Sequence, residues 1–282
     1  MLLAASAFCA EPAKSLDAYP GKTPKIDGKL SPGEWSDASP IHGVLDWSHT
    51  FSPTTDPKDL NLHGWVKHDG RRLYFAFDVD DDLLYGIDTP RWVPKENPKA
   101  HDYVDGKPSR EAFPWFGDEM EILLNATNTF KADESVEGNG RSWQMVVNLT
   151  KSRLGGLGKG GLLEGEPRRD LKAFSTYSKW IDSGAMTAVT SVKPNRKGYI
   201  IEWSIALNPC VEVEPGRFWS PAMGDREVGI NIALGDLDTP ESGNGNFGNF
   251  HHEDWFSGGA KTRTQLNNFG ILRLRAKPAL KH

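Results

Sequence analysis

Leu73-Tyr74-Phe75-Ala76-Phe77-Asp78-Val79 is the stretch of this 282-residue chain that decides its fold. Its odd-numbered positions are all large and apolar, and this period-two alternation is typical of a β-strand with one face in a core. The same alternation recurs in segments further along the chain, at Met120–Leu124, Trp143–Leu149, Tyr199–Leu207 and Val228–Leu234. Phe269–Leu274 predicts a closing strand.

The connections between these segments complete the prediction of an all-β fold. The chain has 29 Gly and 19 Pro, and no long segment shows helical periodicity. Alternating strands with turn-rich connections indicate an antiparallel β-sandwich, jelly-roll-like in type. The connections at 82–115 and 236–268 are too long for turns, and long loops in a compact domain are usually functional. They carry Trp92, Trp115 and Trp255, so we expect ligand-side loops.

The composition limits the classes of partner. The chain is 38% hydrophobic and 25% charged, with a net charge of −5, so nothing directs it toward a polyanion such as nucleic acid. No segment after the amino terminus approaches the roughly 18 apolar residues of a membrane span. The ten Trp are notable because tryptophan is favoured where a flat apolar face meets a ligand.

The amino terminus resembles the end of a secretory signal peptide. Leu2 to Phe8 is apolar and rich in small residues, and cleavage is expected after Ala7 or Ala10. Cys9 raises the alternative of a lipoprotein, although Phe8 is bulky for a lipobox. We therefore expect a secreted or periplasmic protein. The predicted divisions are a signal remnant at 1–10, an extension at 11–23, the sandwich domain at 24–276 and a tail at 277–282.

The residues between the apolar positions point to the opposite face of each strand, and several of them are polar. They are Glu119, Glu121, Gln144, Asn148 and Asn231. A sheet face of carboxylates and amides suits a sugar, because hydroxyls need directional donors and acceptors while the C–H face of a pyranose packs on an indole. The ordinary solvated side of an antiparallel sheet fits the same pattern.

Taken in order, these segments resemble the family 9 carbohydrate-binding modules. Pro114–Ile122 is similar to that family's W..D.VEIF segment, and Gly198–Ile205 to its GY.VE..I segment. The other segments that carry the resemblance are Ile26–Trp35, Leu73–Asp81, Val228–Asp238, Trp255 and Phe269–Leu274. The similarity spans about residues 24–275. It implies a non-catalytic sandwich that binds an oligo- or polysaccharide.

The resemblance also implies a binding site. Family members grip glycan chain ends between two Trp rings, with a Glu, an Arg and amides on the sheet. Trp115 matches the first clamp Trp and Glu121 the Glu, but Arg263 stands where the second Trp is expected and Val146 where the Arg is expected. We therefore expect sugar binding with a changed ligand. The predicted carbohydrate-binding residues are Trp115, Glu121, Gln144, Asn148, Asn231 and Trp255.

Structural calcium is a further property that the resemblance implies. Asp80, Asp81 and Asp82 follow one predicted strand, and Asp236 and Asp238 follow another. Clustered carboxylates at strand ends suit Ca²⁺, which takes six to eight oxygen ligands. The alternative is a pair of Asp-rich turns.

Two other functions stay open at this point, a glycan-active hydrolase on the same scaffold and a haem-binding redox protein on the related DOMON-like sandwich. Glu119 and Glu121 lie roughly 6.5–7 Å apart along one strand, but residues on one face flank a scissile bond poorly. Met145 and Met186 are the methionines considered as haem ligands, and both fit equally well as core residues.

Overall fold

The computed structural model describes residues 15–43, 47–49, 56–84, 103–104, 107–108, 118–128, 142–148, 162–164, 180, 183–237, 250–255 and 269–279. Its strands are β1 Ser15–Ala18, β2 Ser39–His42, β3 Ser48–His49, β4 Leu60–His68, β5 Arg72–Asp81, β6 Tyr103–Val104, β7 Lys107–Pro108, β8 Glu119–Asn125, β9 Ser142–Asn148, β10 Leu162–Glu164, β11 Met186–Val192, β12 Tyr199–Ala206, β13 Glu212–Glu214, β14 Arg217–Phe218, β15 Arg226–Leu237, β16 Phe250–Asp254 and β17 Gly270–Leu274. One helical turn, α1, covers Leu207–Cys210, and a 3₁₀ turn covers Pro221–Met223.

Two sheets organise these strands. The larger sheet has eight strands in the order β1-β17-β15-β8-β9-β10, with β16 paired to β15 and β3 paired to β16. The smaller sheet has the order β11-β12-β5-β4-β2. Pairing within both sheets is antiparallel except for β1, which runs parallel to β17. The predicted all-β sandwich is confirmed.

The core lies between the two sheets and is built from the alternating apolar positions. Leu73, Phe75, Phe77 and Val79 of β5 are buried in it, together with inward-facing residues of β8, β9, β12 and β15. Burying one such side chain stabilises the fold by about 1.5–3 kcal/mol, so this cluster is the main source of stability. No described helix is long and apolar enough to cross a membrane.

The outer face of the smaller sheet is covered by the chain's own opening segment. The carboxylate of Glu202 on β12 accepts the backbone N–H groups of Asp27 at 2.9 Å and Gly28 at 2.7 Å, and the indole N–H of Trp35 at 3.3 Å. Trp35 packs there on Tyr74 and Ala76, the even-numbered positions of β5. The strand that decides the fold is therefore buried on both faces, because residues far away in sequence cover its second face.

Candidate functional site

The outer face of the larger sheet carries the predicted polar residues on its central strands. Glu121 of β8 lies opposite Val146 of β9 on one side and Ala233 of β15 on the other. Leu123, two residues further along β8, lies opposite Asn231. Glu121 and Asn231 are thus diagonal neighbours on one face, with Cα atoms roughly 7–8 Å apart. Ala233, between them on β15, has a small side chain and is itself buried.

These polar residues are withdrawn from solvent. Glu119, Glu121 and Asn231 are all fully buried, although they point away from the core. Leu123 in the same row packs on Phe269 and forms an apolar cluster apart from the core. These residues therefore do not lie on an ordinary solvated face of an antiparallel sheet. Burying a carboxylate is costly unless other groups interact with it, which sets this face apart from an ordinary polar surface.

Of the other predicted sugar-binding residues, the structure describes the backbone of some and not of others. The backbone of Gln144 lies opposite Leu123, and that of Asn148 lies opposite Glu119, so register places both residues on the rows of this face. Trp115 lies outside the described residues. Its role in binding stays a prediction.

Trp255 lies in the core between the sheets. Its side chain is buried with the main apolar cluster, and its backbone N–H donates to the carbonyl of Ile232 at 2.8 Å. Packing alone accounts for a tryptophan at this position. A contact between Trp255 and sugar also stays a prediction. Met145 and Met186, the residues considered for haem, lie in the same cluster.

Three buried carboxylates meet at one end of the sandwich. Asp81 ends β5, Asp118 immediately precedes β8, and Asp236 is near the end of β15. Each offers an oxygen, and these oxygens lie within 4.8 Å of one another. The pairing of Gly235 with Glu119 explains the approach, because the start of β8 lies beside the end of its antiparallel neighbour β15. We call Asp81, Asp118 and Asp236 the acidic cluster.

The acidic cluster contains only part of the predicted metal set. Asp81 and Asp236 belong to it, whereas the carboxylate of Asp80 bonds the Nζ of Lys193 at 2.6 Å. Asp82 is exposed and lies outside the cluster, and Asp238 lies outside the described residues. Asp118 was not predicted.

Tyr199 of β12 faces the acidic cluster from the smaller sheet. Burial, followed by the negative charges of Asp118, Asp81 and Asp236, raises the pKa of its phenol well above the usual value. The phenol is therefore protonated at neutral pH. Its hydroxyl is buried and makes no hydrogen bond with any described residue. Both sheets thus contribute polar groups to this end of the sandwich.

Comparison with known proteins bears on the fold. No protein-family model and no curated protein matches the sequence. A family 9 carbohydrate-binding module from Caldicellulosiruptor kristjanssonii in complex with glucose aligns over 95% of this chain and 99% of its own, with a TM-score of 0.53 and 16% identity. A structure of such a module from that organism with cellotriose covers 93% of this chain and 94% of its own, with a TM-score of 0.51 and 16% identity. This chain has the β-sandwich fold of the family 9 carbohydrate-binding modules.

Proposed function

We propose that this protein is an exported, non-catalytic carbohydrate-binding protein that holds an oligo- or polysaccharide on the outer face of the larger sheet. The observation that carries the proposal is the placement of Glu121 and Asn231 as diagonal neighbours on the central strands β8 and β15. The opening segment covers part of the smaller sheet's outer face, where Trp35 packs on Tyr74 and Ala76.

The chemistry of this face supports a sugar. A carboxylate accepts two or more hydrogen bonds and an amide both donates and accepts, so Glu121 and Asn231 together match neighbouring hydroxyls. Trp115 precedes β8 in the sequence and is proposed to supply the stacking surface for the C–H face of a sugar ring. The two modules with the same fold hold glucose and cellotriose, which agrees with a glycan as the ligand class.

Because Glu121 and Asn231 are buried without ligand, binding has to displace what covers them. Phe269 packs on Leu123, which lies in the row of Asn231, and is a candidate for part of this cover. We therefore expect slow, conformationally gated association. Hydrogen exchange of the backbone amides of β8 and β15 should change when glycan binds.

The acidic cluster supports a second part of the proposal, a bound calcium ion. Two carboxylates 4.8 Å apart repel by about 3–4 kcal/mol at an effective dielectric constant of 20, so three of them together favour uptake of a cation. The donors are hard oxygens, which suit Ca²⁺ rather than a soft transition metal. Asp81, Asp118 and Asp236 would hold the ion and join the smaller sheet to the larger one.

The test is binding to polysaccharides, by affinity gel and glycan array, of wild type and of Glu121→Gln. This substitution keeps the shape of the side chain and removes its charge, and we expect binding to weaken by about tenfold or more. Glu227→Gln is the matched control, because Glu227 lies on β15 but is exposed and pairs with Arg273 at 3.1 Å. Trp115→Ala tests the stacking surface.

Three outcomes would contradict the proposal. Unchanged binding in both Glu121→Gln and Trp115→Ala would show that the ligand lies elsewhere. Release of reducing sugar from a bound polymer would favour the hydrolase. A Soret band after addition of haem would favour the redox protein.

A further inference from the structure

A cavity of about 540 Å³ lies at the end of the sandwich opposite the acidic cluster. Its location follows from the strands, because β5 begins and β12 ends there, whereas Asp81 and Tyr199 lie at their other ends. Its volume is within the range of about 300–1,000 Å³ found for small-molecule sites. The lining side chains that matter here are Arg71, Leu207, Asn208, Phe218, Trp219 and Ser220.

The walls of this cavity are held in place by hydrogen bonds and ring packing. The backbone N–H of Leu207 donates to the carbonyl of Arg71 at 2.8 Å, which joins two walls. The indole N–H of Trp219 donates to the carbonyl of Gly224 at 3.1 Å, and its ring packs edge-on against His68 with centroids 5.1 Å apart. These contacts fix the backbone of the lining and the ring of Trp219 before a ligand binds, which limits the conformational freedom that binding removes.

Three polar side chains of the lining make no hydrogen bond or ion pair with any described residue. They are the guanidinium of Arg71, the amide of Asn208 and the hydroxyl of Ser220, which does not cap the 3₁₀ turn that follows it. The contrast with Arg217 on the neighbouring hairpin is informative, because its guanidinium is paired with Glu214. Among the described residues, the lining therefore places the cationic side chain of Arg71 beside neutral donors and acceptors that have no side-chain partner there.

We propose that this cavity is a second ligand site and that it takes a monosaccharide bearing a carboxylate, a uronic acid. A planar guanidinium matches a carboxylate with two parallel hydrogen bonds, which assigns the acid group to Arg71. Asn208 and Ser220 match ring hydroxyls, and the half-exposed ring of Phe218 offers a surface for the C–H face of the sugar. A simple carboxylic acid would leave the neutral groups unused, and a neutral sugar would leave Arg71 unused.

This site is independent of the proposed glycan face, and the experiment separates the two. Backbone amide shifts in ¹⁵N–¹H NMR spectra are followed while D-galacturonate or D-glucuronate is added, with D-galactose and acetate as the comparison ligands. We expect saturable shifts at 70–71, 207–208 and 216–220, with a dissociation constant on the order of millimolar. Galactose and acetate should each bind at least about tenfold more weakly.

The decisive variant is Arg71→Gln, which removes an exposed charge and is expected to fold. It should weaken galacturonate binding by about tenfold or more, because a charge-assisted bidentate contact is lost. The matched control is Arg196→Gln, an exposed arginine in the turn between β11 and β12 near the acidic cluster. Glu121→Gln should leave galacturonate shifts at 70–71 unchanged, even if it abolishes polysaccharide binding.

Three results would overturn this proposal. They are the absence of saturable shifts at these amides up to about 50 mM ligand, equal binding by Arg71→Gln and wild type, and equal binding of galactose and galacturonate. Shifts confined to β8 and β15 are a case of the first result and would place the acid on the proposed glycan face.

Discussion

Replacing Asp118 by Asn tests the proposed calcium ion, because the variant should no longer respond to calcium. Asp118 is a member of the acidic cluster, and asparagine keeps the shape of its side chain. The substitution removes one charge while β8 still begins at Glu119. It therefore tests the electrostatics of the cluster rather than its packing.

The size of the effect follows from the geometry of the cluster. Three carboxylates form three pairs, and Asp118 takes part in two of them. An ionised pair at 4.8 Å repels by about 3–4 kcal/mol at an effective dielectric constant of 20, so removing the charge of Asp118 lowers the repulsion within the calcium-free cluster. A cation at a hundred times its dissociation constant stabilises wild type by about 2.7 kcal/mol, which raises the melting temperature of a protein this size by about 5–10 °C.

Thermal unfolding in calcium and in EDTA gives the measurement. We expect wild type to lose about 5–10 °C in EDTA and Asp118→Asn to change little. The melting temperature of the variant should be lower than that of wild type in calcium and at least as high as that of wild type in EDTA. Asp82→Asn is the control, because Asp82 is exposed, is close in sequence to Asp81 and lies outside the acidic cluster.

A calcium response of Asp118→Asn equal to that of wild type would refute the reasoning. So would a wild-type melting temperature that EDTA leaves unchanged in protein shown by elemental analysis to be metal-free. A response lost equally in Asp82→Asn would point to general surface charge instead of the cluster.

Two further predictions concern the scaffold. Gly198→Ala should destabilise the fold by more than about 3 kcal/mol, because φ is +107° there and an added Cβ would lie 1.9 Å from the carbonyl oxygen of Val79. The control is Gly184→Ala, where φ is +73° but an added Cβ would have nothing within 4 Å, and this substitution should cost about 1–2 kcal/mol. Equal urea midpoints for the two variants would contradict the prediction. His68 should titrate below pH 6.5, because burial lowers the pKa of its imidazole. The stabilising contribution of the neutral imidazole is therefore complete above pH 6.5 and is lost as the pH falls from there through the folded-state pKa. An NMR titration midpoint of His68 at or above 6.5 would contradict this prediction.

The alternation of apolar residues predicted the sandwich, because period two reports which side chains share a face whatever the partner strand is. It could not predict that β5 is buried on both faces. The opening segment that covers the second face of β5 is held by Glu202, which lies more than a hundred residues from β5 in sequence. The carboxylate of Glu202 accepts the backbone N–H groups of Asp27 and Gly28. A hydrogen bond between such distant segments leaves no local pattern.

The placement of the candidate residues was predicted to a similar degree. Glu121 and Asn231 could be assigned to the same kind of face from sequence, but their adjacency required knowing that β8 pairs with β15. The same gap explains why Asp118 was missed. Asp118, just before β8, comes close to Asp236, near the end of β15, because these two strands are antiparallel neighbours.

The pairing of β8 with β15 also explains why the acidic cluster lies close to the proposed glycan face, the outer face that carries Glu121 and Asn231. Asp118 lies three residues before Glu121, and Asp236 lies five residues after Asn231, so the same two strands carry one carboxylate of the cluster and one polar group of the face. The odd offset in each strand turns the cluster side chains toward the core and the face side chains away from it. A cation drawing Asp118 and Asp236 together would hold the two strands in register, and that register sets the spacing of Glu121 and Asn231. The cluster is thus positioned to fix the spacing of Glu121 and Asn231 on the proposed glycan face from the opposite side of the same two strands.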